Sequence, residues 1–258
     1  MRARKRFGQN FLRDPSVIAR LVQAIAPHAG ERLVEIGPGR GALTFPLLEL
    51  VGRLTAIEID RDLIPWLRQE AASRGELELI EADVLTVDFS ALASAGPLRV
   101  VGNLPYNIST PVLFHLLDHA AHIQDMHFML QREVVDRMAA PAGSKVYGRL
   151  SVALQARCRI EKLFRVLPGS FWPVPKVESA IVRLVPLHDP EREALAPALE
   201  AVLRAAFGKR RKTLANALHG MLDAVTIASC GLRHEARAEQ VDPAGFLRLA
   251  RAYANRKL

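Results

Sequence analysis

The sequence predicts an α/β fold, a parallel sheet with helices on both faces, followed by a small all-helical domain. Three observations predict it. Short apolar runs ending in glycine, acid or amide recur at RLVEIGPG, LTAIEID, LELIEADV and LRVVGNLPY, with helical periodicity between them, which is the rhythm of a sheet built from βαβ units. Half of the 258 residues are hydrophobic, enough to bury a large core. The alternation stops near Leu187 to Pro190, and from Glu191 the pattern reads as helices through Leu214 and beyond. The expected domains are therefore 1–187 for the sheet and 188–258 for the helices.

Each element follows from local chemistry. Asp14 and Pro15 read as an N-cap and first helical residue, and Val17, Ile18, Leu21, Val22 and Ile25 recur at helical spacing until Pro27. The first long strand runs into Glu35, Gly37, Pro38, Gly39, Arg40, Gly41 and Ala42, where glycines permit a tight turn and close approach of a ligand to a helix N-terminus. Gly37, Gly39 and Ala42 satisfy the Rossmann-type fingerprint GxGxxG/A, and Glu58 lies near the spacing at which an acid grips a ribose. A nicotinamide-dependent dehydrogenase therefore competes at this point. The next strands are expected to end on Glu58, Asp83 and Asn103, so successive carboxyl edges each present a polar acceptor, at the edge where open α/β sheets bind ligands. Glu58 suits ribose hydroxyls and Asp83 an adenine amino group. Together they suit an adenosine moiety, attached either to a pyrophosphate or to a sulfonium amino acid. HFMLQREVVDRM, YGRLSVALQARC and VESAIVRLVPL are expected to continue the same layers.

The stretch Asn103, Leu104, Pro105, Tyr106 separates these chemistries. Hydride transfer needs a proton relay, and from Val100 to Asn107 there is no acid, lysine, arginine or histidine. The loop instead supplies two acceptors, the Asn103 side-chain oxygen and a carbonyl before or at Pro105, beside the stacking ring of Tyr106. That set suits the exocyclic amine of a nucleobase. Adenine N6 is a poor nucleophile because its lone pair is delocalised into the ring; accepting both amino hydrogens turns the lone pair toward an electrophile. If the electrophile is a sulfonium methyl, neither a metal nor a strong base is required, and catalysis rests on alignment.

Read together, KRFGQNFL at Lys5 to Leu12, EIGPGRGALT, AIEIDRD, VVGNLPYNISTPV, YGRLSVALQ, FWPVPKVESAIVRL and AFGKRRKTLANAL resemble the ribosomal RNA adenine dimethyltransferases, in particular the small-subunit branch. The resemblance runs from Lys5 to about Leu218 with motifs in the expected order. It implies a Class I S-adenosylmethionine-dependent fold acting on small-subunit rRNA within a ribosomal particle, with a role in subunit biogenesis; the protein is expected to be a monomer in the cytoplasm. The implied reaction is dimethylation of N6 on two adjacent adenosines in a hairpin loop near the 3′ end of that rRNA. It implies cofactor contacts at Asn10, Leu12, Gly37, Glu58, Asp83 and Asn103, a catalytic loop of Asn103, Leu104, Pro105 and Tyr106, and Phe171 as the ring that packs on the target base. The runner-up within methyltransferases is a large-subunit rRNA enzyme of the antibiotic-resistance branch, which shares NLPY-like loops; AFGKRRKTL and the opening of the chain favour the small-subunit branch.

The net charge of +8 and pI near 10.0 attract phosphates. Lys209, Arg210, Arg211 and Lys212 form a cationic run expected within a helix that packs Phe207, Leu214 and Leu218 inward, and rRNA phosphate contact is preferred there over a solvated face. Arg2, Arg4, Lys5 and Arg6 are expected to pair with RNA backbone. Phe171, Trp172, Pro173 and Pro175 make a stiff aromatic loop, expected to clamp a base with Tyr106 rather than only to cover the sheet edge. His115, His119, His122 and His127 read as a partly exposed helix face and not as a metal site. Cys158 and Cys230 lack CxxC spacing and read as reduced thiols of a cytosolic protein. MRARKR is followed by no apolar segment, and no apolar run reaches about eighteen residues, so neither export nor membrane spanning is expected.

Overall fold

The four apolar runs become four neighbouring parallel strands in a computed structural model that describes residues 10–209 and 211–256. In chain order the elements are β1 (Phe11–Leu12), α1 (Pro15–Ile25), β2 (Leu33–Ile36), α2 (Thr44–Val51), β3 (Arg53–Glu58), α3 (Ile64–Ala71), β4 (Glu76–Glu81), α4 (Phe89–Leu92), β5 (Leu98–Asn103), α5 (Ser109–Asp118) and β6 (Ile123–Gln131). There follow α6 (Arg132–Met138), α7 (Arg149–Gln155), β7 (Cys158–Val166), β8 (Phe171–Trp172), β9 (Ser179–Pro186), α8 (Pro190–Ala194), α9 (Ala196–Gly208), α10 (Leu214–Ala217), α11 (Ala224–Ser229) and α12 (Pro243–Asn255).

The main sheet has the order β4-β3-β2-β5-β6-β9-β7. Pairs β2/β3, β3/β4, β2/β5 and β5/β6 are parallel, whereas β9 runs antiparallel to β6. The chain leaves β2 in one direction for β3 and β4, then returns to place β5 on the other side. That reversal opens a crevice between the carboxyl ends of β2 and β5, where such sheets bind ligands. Strand β5 fits against β2 because Gly102 has no side chain: a Cβ there would lie 2.6 Å from the Ile36 carbonyl oxygen. The core beneath joins Leu21 and Ile25 of α1, Leu47 and Leu48 of α2, and Leu33, Leu54 and Val101 of the strands.

At the N-terminal end Asp14 caps α1, its carboxylate accepting from Ser16 and Val17 N–H, with Pro15 at the first turn as expected. Strand β1 pairs antiparallel with β8, Phe11 opposite Trp172 and Leu12 opposite Phe171.

Three expectations need correction. Strand β4 ends at Glu81, so Asp83 lies beyond it, capping a short 3-10 turn through a 3.0 Å bond from Leu85 N–H. The cationic run is not helical. Helix α9 stops at Gly208, Arg211 adopts a left-handed φ of 73°, and Thr213 caps α10. Phe207, Leu214 and Leu218 do turn inward or lie buried. Finally, the chain forms two compact units, 1–135 with 161–186 and 136–160 with 187–258, rather than dividing once near Leu187. Segment 136–160 joins the helical unit because α7 buries Leu150, Val152, Ala153 and Leu154 against α9 and α12. Tyr147 strengthens that union by donating its hydroxyl to the Val241 carbonyl at 2.8 Å, while Phe207 packs between the Tyr147 and Phe246 rings. Arg2, Arg4, Lys5, Arg6 and Arg210 lie outside the described residues.

Candidate active site

At the crevice lies a cavity of about 210 Å³, lined among others by Asn10, Phe11, Gly37, Glu58 and Asp83, and by the turn from Asn103 to Ile108. Its floor is the glycine loop after β2. Glu58, 4% exposed at the end of β3, ties that loop down: one carboxylate oxygen accepts Gly39 N–H at 3.1 Å and the other accepts Asp60 N–H at 2.8 Å. Burial raises the Glu58 carboxyl above its ordinary value, and the two backbone donors oppose that rise. Each oxygen keeps a lone pair for a further donor. Gly39 has no Cβ because one would press to 3.1 Å from the Phe11 ring, which roofs the loop.

Deeper still is Glu35, 2% exposed, whose carboxyl burial pushes up to about 8; the nearby Thr44 hydroxyl offsets part of the rise and the neighbouring Glu58 charge adds to it. It lines a second, smaller hollow under the glycine loop with Leu12, Gly37 and Arg40. Its position two residues before Gly37 is visible in the sequence. Its protonation is not, because that depends on tertiary burial.

Asn103 is held by its amide nitrogen, which donates to the Asn10 backbone carbonyl at 2.9 Å. The bond uses the donor end of the amide and leaves the side-chain oxygen as the acceptor at the cavity. Of the two carbonyls considered near Pro105, that of Pro105 itself accepts Ile108 N–H at 3.2 Å, so the Leu104 carbonyl is the acceptor the turn leaves. Tyr106 lines the cavity and is half-buried, with its hydroxyl 2.7 Å from the Ser179 hydroxyl of β9. Burial also raises the phenol above its ordinary value.

Asn10, Gly37, Glu58, Asp83 and Asn103 are thus brought to one cavity, as are Leu104, Pro105 and Tyr106. Leu12 and Phe171 are not among its lining residues. Leu12 is 7% exposed and joins the core, and Phe171 is 0% exposed in that same core. Strand alternation explains both: directly paired across β1/β8, they take the inward face, so in this structure Phe171 presents no open ring to a base. The exposed aromatic of that loop is Trp172. Lys209, Arg211 and Lys212 are exposed on the α9–α10 connection in the other compact unit.

The histidines do not converge. His115 bonds the Val87 carbonyl at 2.8 Å and packs with His119 at 5.0 Å between rings, whereas His127 sits in β6, 1% exposed, its ring pushed down to about 4 by burial. Among the described residues no group of three acidic, histidine or cysteine side chains is placed to hold a metal ion. No helix among them is long and apolar enough to cross a membrane.

Comparisons with known proteins bear on the same geometry. Residues 1–255 match the family model of ribosomal RNA adenine dimethylase. The "ribosomal RNA small subunit methyltransferase A" of Xanthomonas oryzae pv. oryzae is 58% identical over 253 residues, covering 96% of this chain and 95% of its own. The protein of the same name from Xanthomonas axonopodis pv. citri is 58% identical over 254 residues, with the same coverage. Among solved structures, a dimethyladenosine transferase from Plasmodium falciparum superposes with a TM-score of 0.80 at 26% identity, covering 96% of this chain and 98% of that one. The 23S rRNA methyltransferase ErmE gives 0.72 at 27% identity, covering 95% and 100%. With a family model spanning nearly every residue and relatives well over half identical along their length, the chain belongs to the ribosomal RNA adenine dimethylase family.

Proposed function

We propose that this chain is an rRNA adenine dimethyltransferase whose substrate is the small-subunit rRNA, modified at N6 of two adjacent adenosines in its 3′-terminal hairpin loop. S-adenosylmethionine supplies the electrophilic methyl when bound. The cavity's lining fits that cofactor: a buried carboxylate at Glu58 to accept from ribose hydroxyls, Asp83 to accept from an adenine amino group, and the apolar Ile57, Ile59 and Val84 for the flat base. Asn10 and Gly37 line the same cavity.

The observation that carries the catalytic assignment is the Asn103 amide, pinned through nitrogen to the Asn10 carbonyl. In the first transfer the Asn103 oxygen accepts one hydrogen of the target amine and the Leu104 carbonyl accepts the other, which localises the lone pair on N6; in the second transfer the single remaining N–H is held by one of these acceptors, and the proton that N6 gives up each time passes to water. Pro105 fixes the direction of the Leu104 carbonyl, and Tyr106 supplies a ring at the cavity for the base. As the amine becomes tetrahedral its hydrogens grow more acidic, so both contacts strengthen toward the transition state, where they accelerate transfer. Lys209, Arg211 and Lys212 serve as phosphate contacts. Action in the cytoplasm as a monomer completes the proposal, and the free thiols of Cys158 and Cys230 fit a reducing compartment.

The large-subunit alternative shares the fold, as the likeness to ErmE at 27% identity makes plain, but the relatives at 58% carry the small-subunit name. The test is to incubate undermethylated small-subunit and large-subunit particles with protein and labelled cofactor and to map the modified nucleotides. Label on two adjacent adenosines of the small-subunit 3′ hairpin is expected; label confined to large-subunit rRNA would overturn the proposal.

A further inference from the structure

Trp172 is 42% exposed, on a loop whose neighbours Val174 and Val177 are exposed as well. Together these exposed side chains put an apolar patch with an indole beside the cavity, and exposed patches of that kind mark interaction sites. Its surroundings are specific. Across the β1/β8 ribbon its direct partner is Phe11, a wall of the cavity, which places the indole at that cavity's rim. The Arg40 guanidinium carbon lies 5.0 Å from the Phe11 ring centroid and 5.5 Å from that of Trp172, so one cation touches both rings. Arg13 follows β1, donates its N–H to the Ser170 carbonyl at 2.9 Å, and has an exposed side chain; Lys176 is exposed on the other side of the loop. Two acids of these stretches are engaged elsewhere: Asp14 caps α1 and accepts the Ser170 hydroxyl at 3.0 Å, and Glu178 pairs with Arg132 at 2.8 Å. The rim is therefore a flat aromatic face bordered by cations.

We infer that Trp172, with Arg40 beside it, is a second stacking site that holds an unpaired nucleobase of the RNA flanking the adenosine in the cavity. The inference rests on the rRNA-modifying function proposed above and extends it from the reacting base to its neighbour. A paired duplex offers no free base face, so the site selects single-stranded loop over helix. A flanking base held at the rim keeps the chain of the loop splayed while Tyr106 and Asn103 engage the target. Arg13, Arg40 and Lys176 supply the charge that accompanies the phosphates of that strand.

The sequence contains two tryptophans, and Trp66 is half-buried against Phe45 with ring centroids 5.7 Å apart. In a Trp66→Phe protein the remaining indole reports on this site alone. Titration with a single-stranded oligoadenylate is expected to quench its emission, and a fully paired RNA duplex of equal charge is expected not to. In the otherwise native protein, anisotropy of a labelled oligoadenylate should show roughly tenfold weaker binding for Trp172→Ala and near-parental binding for Trp172→Phe, with cofactor affinity unchanged. Unaltered affinity in Trp172→Ala, or equal quenching by duplex, would overturn the site. Methylation of small-subunit particles by the parent protein, run alongside, separates the two ideas: a parent that methylates while Trp172→Ala binds normally defeats only the stacking site, whereas an inactive parent defeats the function on which it rests.

Discussion

Tyr106 shows how a single atom alters an expectation. A ring that only stacks would tolerate loss of its hydroxyl, but this hydroxyl bonds Ser179, whose residue is 0% exposed. Tyr106→Phe therefore leaves a buried hydroxyl without its partner, at about 1 to 3 kcal/mol. Urea unfolding is expected to show that loss while affinity for RNA stays near the parent's; a parental unfolding midpoint would mean that the bond contributes nothing. Glu35 yields a prediction in pH. Its folded-state carboxyl holds a proton up to about 8 against an ordinary 4.5, so between those values the folded protein binds more protons than the unfolded chain and stability falls as pH rises. Glu58, also raised, adds to the same slope. Glu35→Gln should flatten the decline in part and be relatively most stable at the alkaline end of that window. Parallel stability profiles of parent and variant from acid to alkaline pH would refute a proton on Glu35.

Elements are legible where one local signal decides them. Asp14–Pro15 announces α1, and alternating apolar and polar stops announce β2 through β5, because caps and periodicity act within a few residues. What escapes is set by partners distant in sequence. Phe171 and Trp172 look alike as a pair of aromatics, and only pairing with β1 decides that the first is buried and the second exposed. Arg99 reads as an odd charge in an apolar strand until β6 places Asp125 beside it, with bonds of 2.8 and 3.1 Å, since a buried charge persists only when paired. The cationic run reads as helix from its flanking apolar residues, yet Gly208 and the left-handed Arg211 end it, and its charges ride on a connection. Replacing Lys209, Arg211 and Lys212 by glutamine should weaken binding to the small-subunit particle and lower the salt slope by about 0.7 to 0.9 for each phosphate no longer neutralised, with cofactor affinity intact. An unchanged slope measured by filter binding across salt concentrations would return these residues to a solvated loop.

At the scale of the molecule, sequence order and spatial units differ because the chain crosses between them more than once. Segment 136–160 carries a helix whose buried face matches α9 and α12, and no composition shift marks its edges. The site is more legible than the units, since the carboxyl ends of β2, β3 and β5 and the turn just past β4 must meet at one edge once the βαβ order is known. No local signal shows how Asn103 is aimed, because the Asn10 carbonyl that aims it lies ninety-three residues away in sequence. The proposed mechanism stands on this aimed amide accepting a hydrogen bond from the target amine in the transition state. It is tested by the single-turnover rate of methyl transfer to small-subunit particles at saturating S-adenosylmethionine, parent against Asn103→Ala, with particle affinity measured in parallel. Loss of one such acceptor predicts a rate lower by about a hundredfold or more with particle affinity nearly unchanged; transfer by Asn103→Ala at the parent rate would contradict it.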